Sequence, residues 1–225
     1  MSIVTISREV GAGGSNVAAM LGEQLGCEVI DRWIVAEIAR RLELSEQAVE
    51  SADEHAITVV DRLLDVLKFV APPGVWVVPR PDAPGDPTRT IPNLTEELIR
   101  EVARMGSAVI VGRGAAFILA DYPDTLHVFL RAPETYRLGS VVDRYRLDEQ
   151  AATRRMHAID AERAAYIRQM HDADWRNPAR HDLVINTARA GIGGAVDLIL
   201  TGLHSGGPLH RCCSKEVSPQ GPASS

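Results

Sequence analysis

A chain of 225 residues is long enough for one sizeable domain or for two small ones. Its hydrophobic content of 45% and charged content of 24% exclude a chain that is disordered throughout, a collagen-like chain and a disulfide scaffold. The 24 basic and 30 acidic residues give a net charge of −6, which disfavours a binder of duplex nucleic acid but not a binder of small anions.

The first predicted elements are a strand, a glycine-rich turn and a helix. Residues 3–6 are mostly β-branched, as in a buried strand, and residues 11–14 are three glycines and one alanine. Apolar residues then recur at helical spacing from Val17 to Leu25, and Gly26 ends the helix. A short second strand is predicted over 27–31. This order of elements is typical of phosphate-binding α/β proteins.

The middle of the chain has a different pattern. Helices are predicted over 33–42, 45–52 and 57–70, and the apolar stripe of the last one belongs in the core or in a homodimer contact. Seven prolines over 71–92 predict a long loop, because proline interrupts both helices and central strands. A helix over 95–105, capped by Thr95, is predicted next.

In the second half, strands and helices alternate. Strands are predicted over 108–111, 126–130 and 183–186, and helices over 133–146, 148–171 and 192–203. The alternation predicts an α/β fold, with one domain over 1–203 whose parallel sheet is covered on both faces. Residues 204–225 are rich in Gly, Pro and Ser and predict a disordered tail.

The glycine-rich turn is a candidate phosphate site, because its amides and the helix that follows favour an anion. A tight turn without a ligand explains the glycines equally well. Against the P-loop pattern G-x-x-x-x-G-K-[ST], Gly14 stands at the lysine, Arg8 at the first glycine and Ser15 at the magnesium-binding hydroxyl. Arg8 is therefore the nearest replacement for the missing cation. A Rossmann dinucleotide site is less favoured, because Asn16 stands where its third glycine is expected.

Charged residues also follow several strands, where α/β sheets bind ligands. They are Arg8, Asp31, Arg113 and Arg131. A second set lies on the long predicted helix and comprises Arg154, Arg155, Asp160, Arg163 and Tyr166. Guanidinium groups on one helix face suit phosphate oxygens. The alternative for both sets is ordinary solvated surface charge.

Several motifs together resemble the cytidylate kinase-like family. The similarity begins with residues 3–9 and the glycine-rich stretch 11–15. It continues through Ile30-Asp31-Arg32, residues 109–114, the Asp160-x-x-Arg163-x-x-Tyr166 segment and residues 174–187. Residues 2–203 are covered almost throughout, with the motifs in the family's order.

The resemblance implies a three-layer P-loop kinase fold of the nucleoside monophosphate kinase type, with a helical lid at about 147–171. It implies transfer of the ATP γ-phosphoryl group to a nucleoside monophosphate with Mg²⁺. The donor phosphates would be held by the loop residues Gly11, Ala12, Gly13, Gly14, Ser15 and Asn16, with Ser15 on the metal. The acceptor would be held by Asp31, Arg32, Arg113, Asp160 and Arg163, and Arg154 and Arg155 would belong to the lid.

Phosphoryl transfer needs alignment and cations more than covalent chemistry, so Arg8, Arg113, Arg154 and Arg163 are the expected catalytic cations. Asp31 is the candidate base if the acceptor is an alcohol. The alternative function is a non-catalytic nucleotide-binding or regulatory protein that kept the fold, as the missing lysine suggests. Cysteine usage, the absence of a signal peptide pattern and the absence of long apolar stretches predict a cytoplasmic chain without membrane partners.

Overall fold

The computed structural model describes residues 3–31 and 87–204. The predicted helices over 33–42, 45–52 and 57–70, Arg32, most of the proline-rich loop and residues 205–225 lie outside the described residues. None of the described helices is long and apolar enough to cross a membrane.

The centre of the described fold is a five-stranded sheet. Its strands are β1 (Ile3–Arg8), β2 (Glu28–Ile30), β3 (Ala108–Val111), β4 (Thr125–Arg131) and β5 (Leu183–Asn186). They are arranged in the order β2-β3-β1-β4-β5, and all pairs are parallel. In the register of the central strand, Ile3 lies between Ala108 and Thr125. The parallel sheet predicted from the sequence is confirmed, and its carboxyl ends meet at one edge.

Within the described residues, six α-helices connect or follow these strands. They are α1 (Gly14–Leu25), α2 (Pro87–Met105), α3 (Ala115–Ile118), α4 (Glu134–Tyr145), α5 (Glu149–His171) and α6 (Thr187–His204). A short 3-10 helix spans Pro178–Arg180. Asp148 caps α5, because its carboxylate accepts a hydrogen bond of 2.8 Å from the Ala151 amide.

The core lies in two layers, one on each face of the sheet. Val4 and Ile6 of β1 pack with the helices α1 and α6. Ile3, which points to the opposite face of the same strand, packs with Leu98 and Ile99 of α2. Full burial of each such aliphatic side chain stabilises the fold by about 1.5–3 kcal/mol. Both faces are covered, as the alternation of elements predicts.

The start of α2 differs from its prediction. The helix begins at Pro87, so the segment 87–92 is helical rather than part of a loop, and Thr95 is buried inside the helix instead of capping it. Proline fits the first helical position, and Pro92 in the second turn costs one backbone hydrogen bond. Packing of Leu98 and Ile99 on the sheet outweighs this local cost.

The last helix also begins earlier than predicted. It starts at Thr187, and Gly191 inside it has φ 70° and ψ 173°, which are not helical values. The predicted helix over 192–203 is therefore the part that follows this kink. His204, which was assigned to the tail, is the last helical residue.

Candidate active site

A cavity of about 340 Å³ opens at the carboxyl ends of the central strands. Its walls come from the segment that follows β1, the residue after β2, the glycine-flanked turn after β3, and the facing sides of α4 and α5. Of the predicted site residues, it is lined by Arg8, Gly11, Gly13, Gly14, Ser15, Asn16, Asp31, Arg113 and Arg163. Residues scattered over more than 150 positions of sequence thus line one cavity.

The glycine-rich loop has the backbone shape of an anion site. Gly11 and Gly13 both have φ 79°, in the left-handed region that favours glycine. A Cβ atom on Gly11 would lie 2.6 Å from the Arg137 carbonyl oxygen. Gly13 is the N-cap of α1, and no side chain caps that helix, so the first amides of α1 keep their capacity to bind an anion. The loop fits phosphate groups.

Arg8 occupies the space where a lysine at position 14 would stand. A Cβ atom on Gly14 would lie 2.7 Å from the Arg8 Cγ atom, and a Cβ atom on Gly112 would collide with Arg8 Nη1. The guanidinium also approaches Asp31, with 3.8 Å between Nη2 and Oδ1. The Arg8 side chain therefore runs across the glycine loop into the cavity, and the two glycines leave room for it.

Arg113 is held in an uncommon backbone conformation. Its φ is 56°, and it stands between Gly112 at 73° and Gly114 at 71°. The left-handed region costs a residue with a side chain about 1–2 kcal/mol. Strain of this kind persists where the surrounding structure imposes it, often at functional sites. Burial raises the pKa of Tyr166, while the positive charge of Arg113 opposes the rise and Glu96 adds to it.

Aromatic rings form a continuous group beside Arg113. Phe117 stacks on His171 with ring centroids 5.5 Å apart, and Phe129 meets Trp175 edge to face at 5.5 Å. His181 lies 5.1 Å from Phe129, and its Nε2 donates a hydrogen bond of 3.0 Å to the Trp175 carbonyl. Phe117 and Trp175 line the cavity. One part of the cavity wall is therefore aromatic.

We expect the two histidines of this group to make stability depend on pH. Burial lowers the pKa of both His171 and His181 from the ordinary 6.5, so both are neutral in the native chain. Because the unfolded chain binds these protons more readily, the free energy of unfolding should fall as pH drops below about 6.5. Urea unfolding at about pH 7.5 and 5.5 measures the loss.

The double variant His171→Gln/His181→Gln should lose less stability between those two pH values than the wild type. The substitution Met105→Gln, at an exposed position without a titratable group, should leave the wild-type loss unchanged. An equal loss in the double variant and the wild type would contradict the assignment.

The residues of α5 divide into two groups. Arg163 lines the cavity, and its Nη1 donates a hydrogen bond of 2.8 Å to the Arg8 carbonyl. Asp160 is 5% exposed and does not line the cavity, so it does not reach a ligand there in this structure. Arg154 is exposed and lies outside the lining, and the same holds for Arg131 at the end of β4. The edge of the sheet therefore gathers three of the four charged strand ends.

Several residues around the site were not predicted from the sequence. Arg137 is buried on the face of α4 that also carries Val141, one helical turn away. An arginine on an apolar helix face was the available signal. Glu9, Phe117 and Glu162 also contribute to the walls. No signal distinguished these three, because each is brought to the cavity by the turn of the chain around it.

Few protein atoms in this cavity could coordinate magnesium. Within residues 3–31 and 87–204, no group of three or more His, Cys, Asp or Glu side chains is arranged to hold a metal ion. Ser15 lines the cavity in the first turn of α1. A hydroxyl beside phosphate oxygens fits Mg²⁺, which is usually held by one or two protein groups together with substrate phosphates.

A parallel sheet with this strand order, an uncapped glycine-loop helix and a cavity at its carboxyl edge defines a P-loop kinase fold. Solved structures share it. An uncharacterized protein from Eubacterium ventriosum has a TM-score of 0.67 at 22% identity, covering 92% of this chain and 100% of that one. A shikimate kinase from Bacteroides thetaiotaomicron has a TM-score of 0.51 at 14% identity, covering 90% and 98%. These similarities establish the fold.

The chain belongs to the cytidylate kinase-like family, whose model matches residues 3–189. A cytidylate kinase from Methanopyrus kandleri is 30% identical over 98 residues. That match covers 40% of this chain and 51% of the relative, so it spans about half of the relative's length. The family predicted from the sequence motifs is confirmed.

Proposed function

We propose that this protein is an ATP-dependent phosphotransferase that moves the γ-phosphoryl group to a nucleoside monophosphate or another small acceptor. The observation that carries the proposal is a single cavity with an anion-binding loop on one side and Arg113 on the other. Donor and acceptor groups held in one cavity can be aligned for in-line transfer, which is most of what this chemistry requires.

On the donor side, the loop amides of 11–14 and the N-terminus of α1 bind the phosphates, and Asn16 completes the wall. Magnesium neutralises phosphate charge when bound, and the Ser15 hydroxyl would hold it. Arg8 places a guanidinium beside the loop, in the position that the missing lysine leaves open. The positive charge of Arg8 thereby stabilises the negative charge that develops on the transferred group.

On the acceptor side, Arg113 binds an anionic group of the acceptor, and Arg163 adds a second guanidinium. A phosphate acceptor is already an anion and needs no base, whereas for an alcohol Asp31 would take the proton. Three further assignments stay proposals. They are a kinase domain over residues 1–203, a lid over 147–171 that carries Arg154, and an acceptor-binding role for Arg32. Cytoplasmic location, a homodimer and the absence of membrane or duplex nucleic acid partners stay predictions.

The test is a transfer assay with ATP and Mg²⁺ against a panel of nucleoside monophosphates, hydroxy acids and sugars. We expect Mg²⁺-dependent formation of ADP that requires one acceptor class, with a nucleoside monophosphate preferred. Omission of Mg²⁺ by chelation should abolish the reaction. ATP binding without phosphorylation of any acceptor would instead support a non-catalytic nucleotide-binding protein, for which the lack of the P-loop lysine is the specific argument.

A further inference from the structure

A buried carboxylate of α5 is attached to the backbone of the glycine-rich loop. Asp160 Oδ1 accepts a hydrogen bond of 3.0 Å from the Val10 amide, and Oδ2 lies 2.6 Å from Arg137 Nη1. The two side chains are only 6% and 7% exposed. An ion pair this deeply buried keeps its charges only where geometry and hydrogen bonds compensate the desolvation. The loop backbone is one of its partners.

Arg137 also binds the backbone of Val10. Its Nη1 donates a hydrogen bond of 3.1 Å to the Val10 carbonyl, so both polar backbone groups of Val10 are bound by the pair. The Arg137 main chain also lies against Gly11, where a Cβ atom would be 2.6 Å from its carbonyl oxygen. The path of the chain from Val10 into the loop is therefore set by one side chain from α4 and one from α5.

Two further charges balance the pair. Glu9 Oε1 lies 3.3 Å from Arg176 Nη2, and Glu9 Oε2 lies 3.8 Å from Arg137 Nε. The same Arg176 nitrogen lies 3.4 Å from Asp160 Oδ2. Arg163 Nη1 lies 4.0 Å from Asp160 Oδ1, so the cluster holds two carboxylates and three guanidiniums. Glu9 also accepts a hydrogen bond of 3.2 Å from the Ala132 amide. The members of the cluster are connected, so it is a rigid support for the loop.

We propose that Asp160 and Arg137 are a positioning pair for the donor nucleotide. The pair presets the conformation of Val10 and Gly11, and it acts through the loop without touching a ligand. This inference rests on the proposed donor role of the loop. It departs from the role that the family resemblance implies for Asp160, which is to hold the acceptor nucleotide. The two roles differ in which ligand loses affinity when the carboxylate is neutralised.

The decisive experiment measures two affinities by calorimetry on the full chain, one for ADP and one for cytidine monophosphate. In Asp160→Asn, ADP affinity should fall by about tenfold or more, because a charge-assisted support of the loop is lost. Acceptor affinity should fall less than ADP affinity, because Asp160 meets the acceptor residue Arg163 only at 4.0 Å. The opposite pattern overturns the inference. A wild-type chain that binds neither ligand refutes the proposed function instead.

The single variant leaves the Arg137 charge buried without its carboxylate, which can unfold the chain. The double variant Asp160→Asn/Arg137→Met removes both charges, and we expect its melting temperature to recover while ADP affinity stays low. Wild-type ADP affinity in the double variant would show that the pair is only structural. The matched control is Glu134→Gln, which breaks an exposed 2.7 Å contact with His157 between the same two helices and should leave both affinities unchanged.

Hydrogen exchange of the wild-type chain tests the same inference without any substitution. The Val10 amide should be protected before ADP is added, because Asp160 already accepts its hydrogen bond. Fast exchange at Val10 that slows only when ADP binds would mean that the ligand, and not the ion pair, orders the loop. That result would overturn the inference.

Discussion

Replacement of Arg8 by methionine is expected to lower kcat by about 10²–10³-fold without unfolding the chain, the usual cost of one preorganised transition-state donor. Methionine keeps the apolar stem that packs over Gly14 and removes the charge. The Arg8 guanidinium lies across the glycine loop, and Arg8 itself ends β1 just before that loop in the chain. Steady-state kinetics with the acceptor found in the panel assay measures the change.

The Arg8 side chain and a side chain at position 14 would compete for the same space. Gly14 has no positive φ, so its backbone conformation suits a residue with a side chain. A Cβ atom on Gly14 would instead collide with the aliphatic part of the Arg8 side chain. Gly14→Lys alone should therefore be damaging. In the Arg8→Gly background the same substitution should recover at least about tenfold of the lost kcat, because a lysine there restores the P-loop cation.

The control for Arg8 is Arg189→Met, an exposed arginine on α6 that does not line the cavity. It should keep wild-type kinetics. If Arg8→Met also kept wild-type kcat, the guanidinium would have no part in transfer and the missing lysine would have no replacement at this position. Full activity in Gly14→Lys would show that the Arg8 side chain moves aside for the lysine. It would contradict the prediction that the two side chains compete for the same space.

Replacement of Arg113 by asparagine is expected to lower kcat/KM for the acceptor by about 10²–10³-fold, mainly through a higher acceptor KM, with the KM for ATP little changed. Asparagine tolerates the left-handed conformation that Arg113 adopts, so stability should change by less than about 1 kcal/mol. Initial rates at varied acceptor concentration, together with thermal unfolding, separate the two effects.

Arg131→Asn is the matched control for that substitution. Arg131 ends β4, which lies on the other side of β1 from β3, but it is exposed and outside the cavity, whereas Arg113 follows β3 and lines the cavity. Its replacement should leave acceptor kinetics unchanged. Equal losses in the two variants would mean that the effect is a general change of surface charge, and a higher KM for ATP alone would place Arg113 on the donor side.

Much of the fold was accessible from the sequence, because it depends on local patterns. The strand over 108–111 and the helix capped by Asp148 coincide with their predictions, since β-branched runs and capping residues act within a few positions. The start of α2 was not accessible. Its prolines predict a loop, and the contacts of Leu98 and Ile99 with a sheet built from distant residues decide otherwise.

The sequence by itself determined the fold class and the family and predicted the anion site, because glycines after a strand and the order of motifs are properties of the linear chain. Only the tertiary structure decided which charges work together. It separated Arg113 from Arg131, moved Asp160 from the cavity into a buried ion pair with Arg137, and placed Arg8 over Gly14. The physical reason is that electrostatic roles depend on distance and burial, and a pair such as Arg137 and Asp160, 23 positions apart, acquires both only when helices and strands pack.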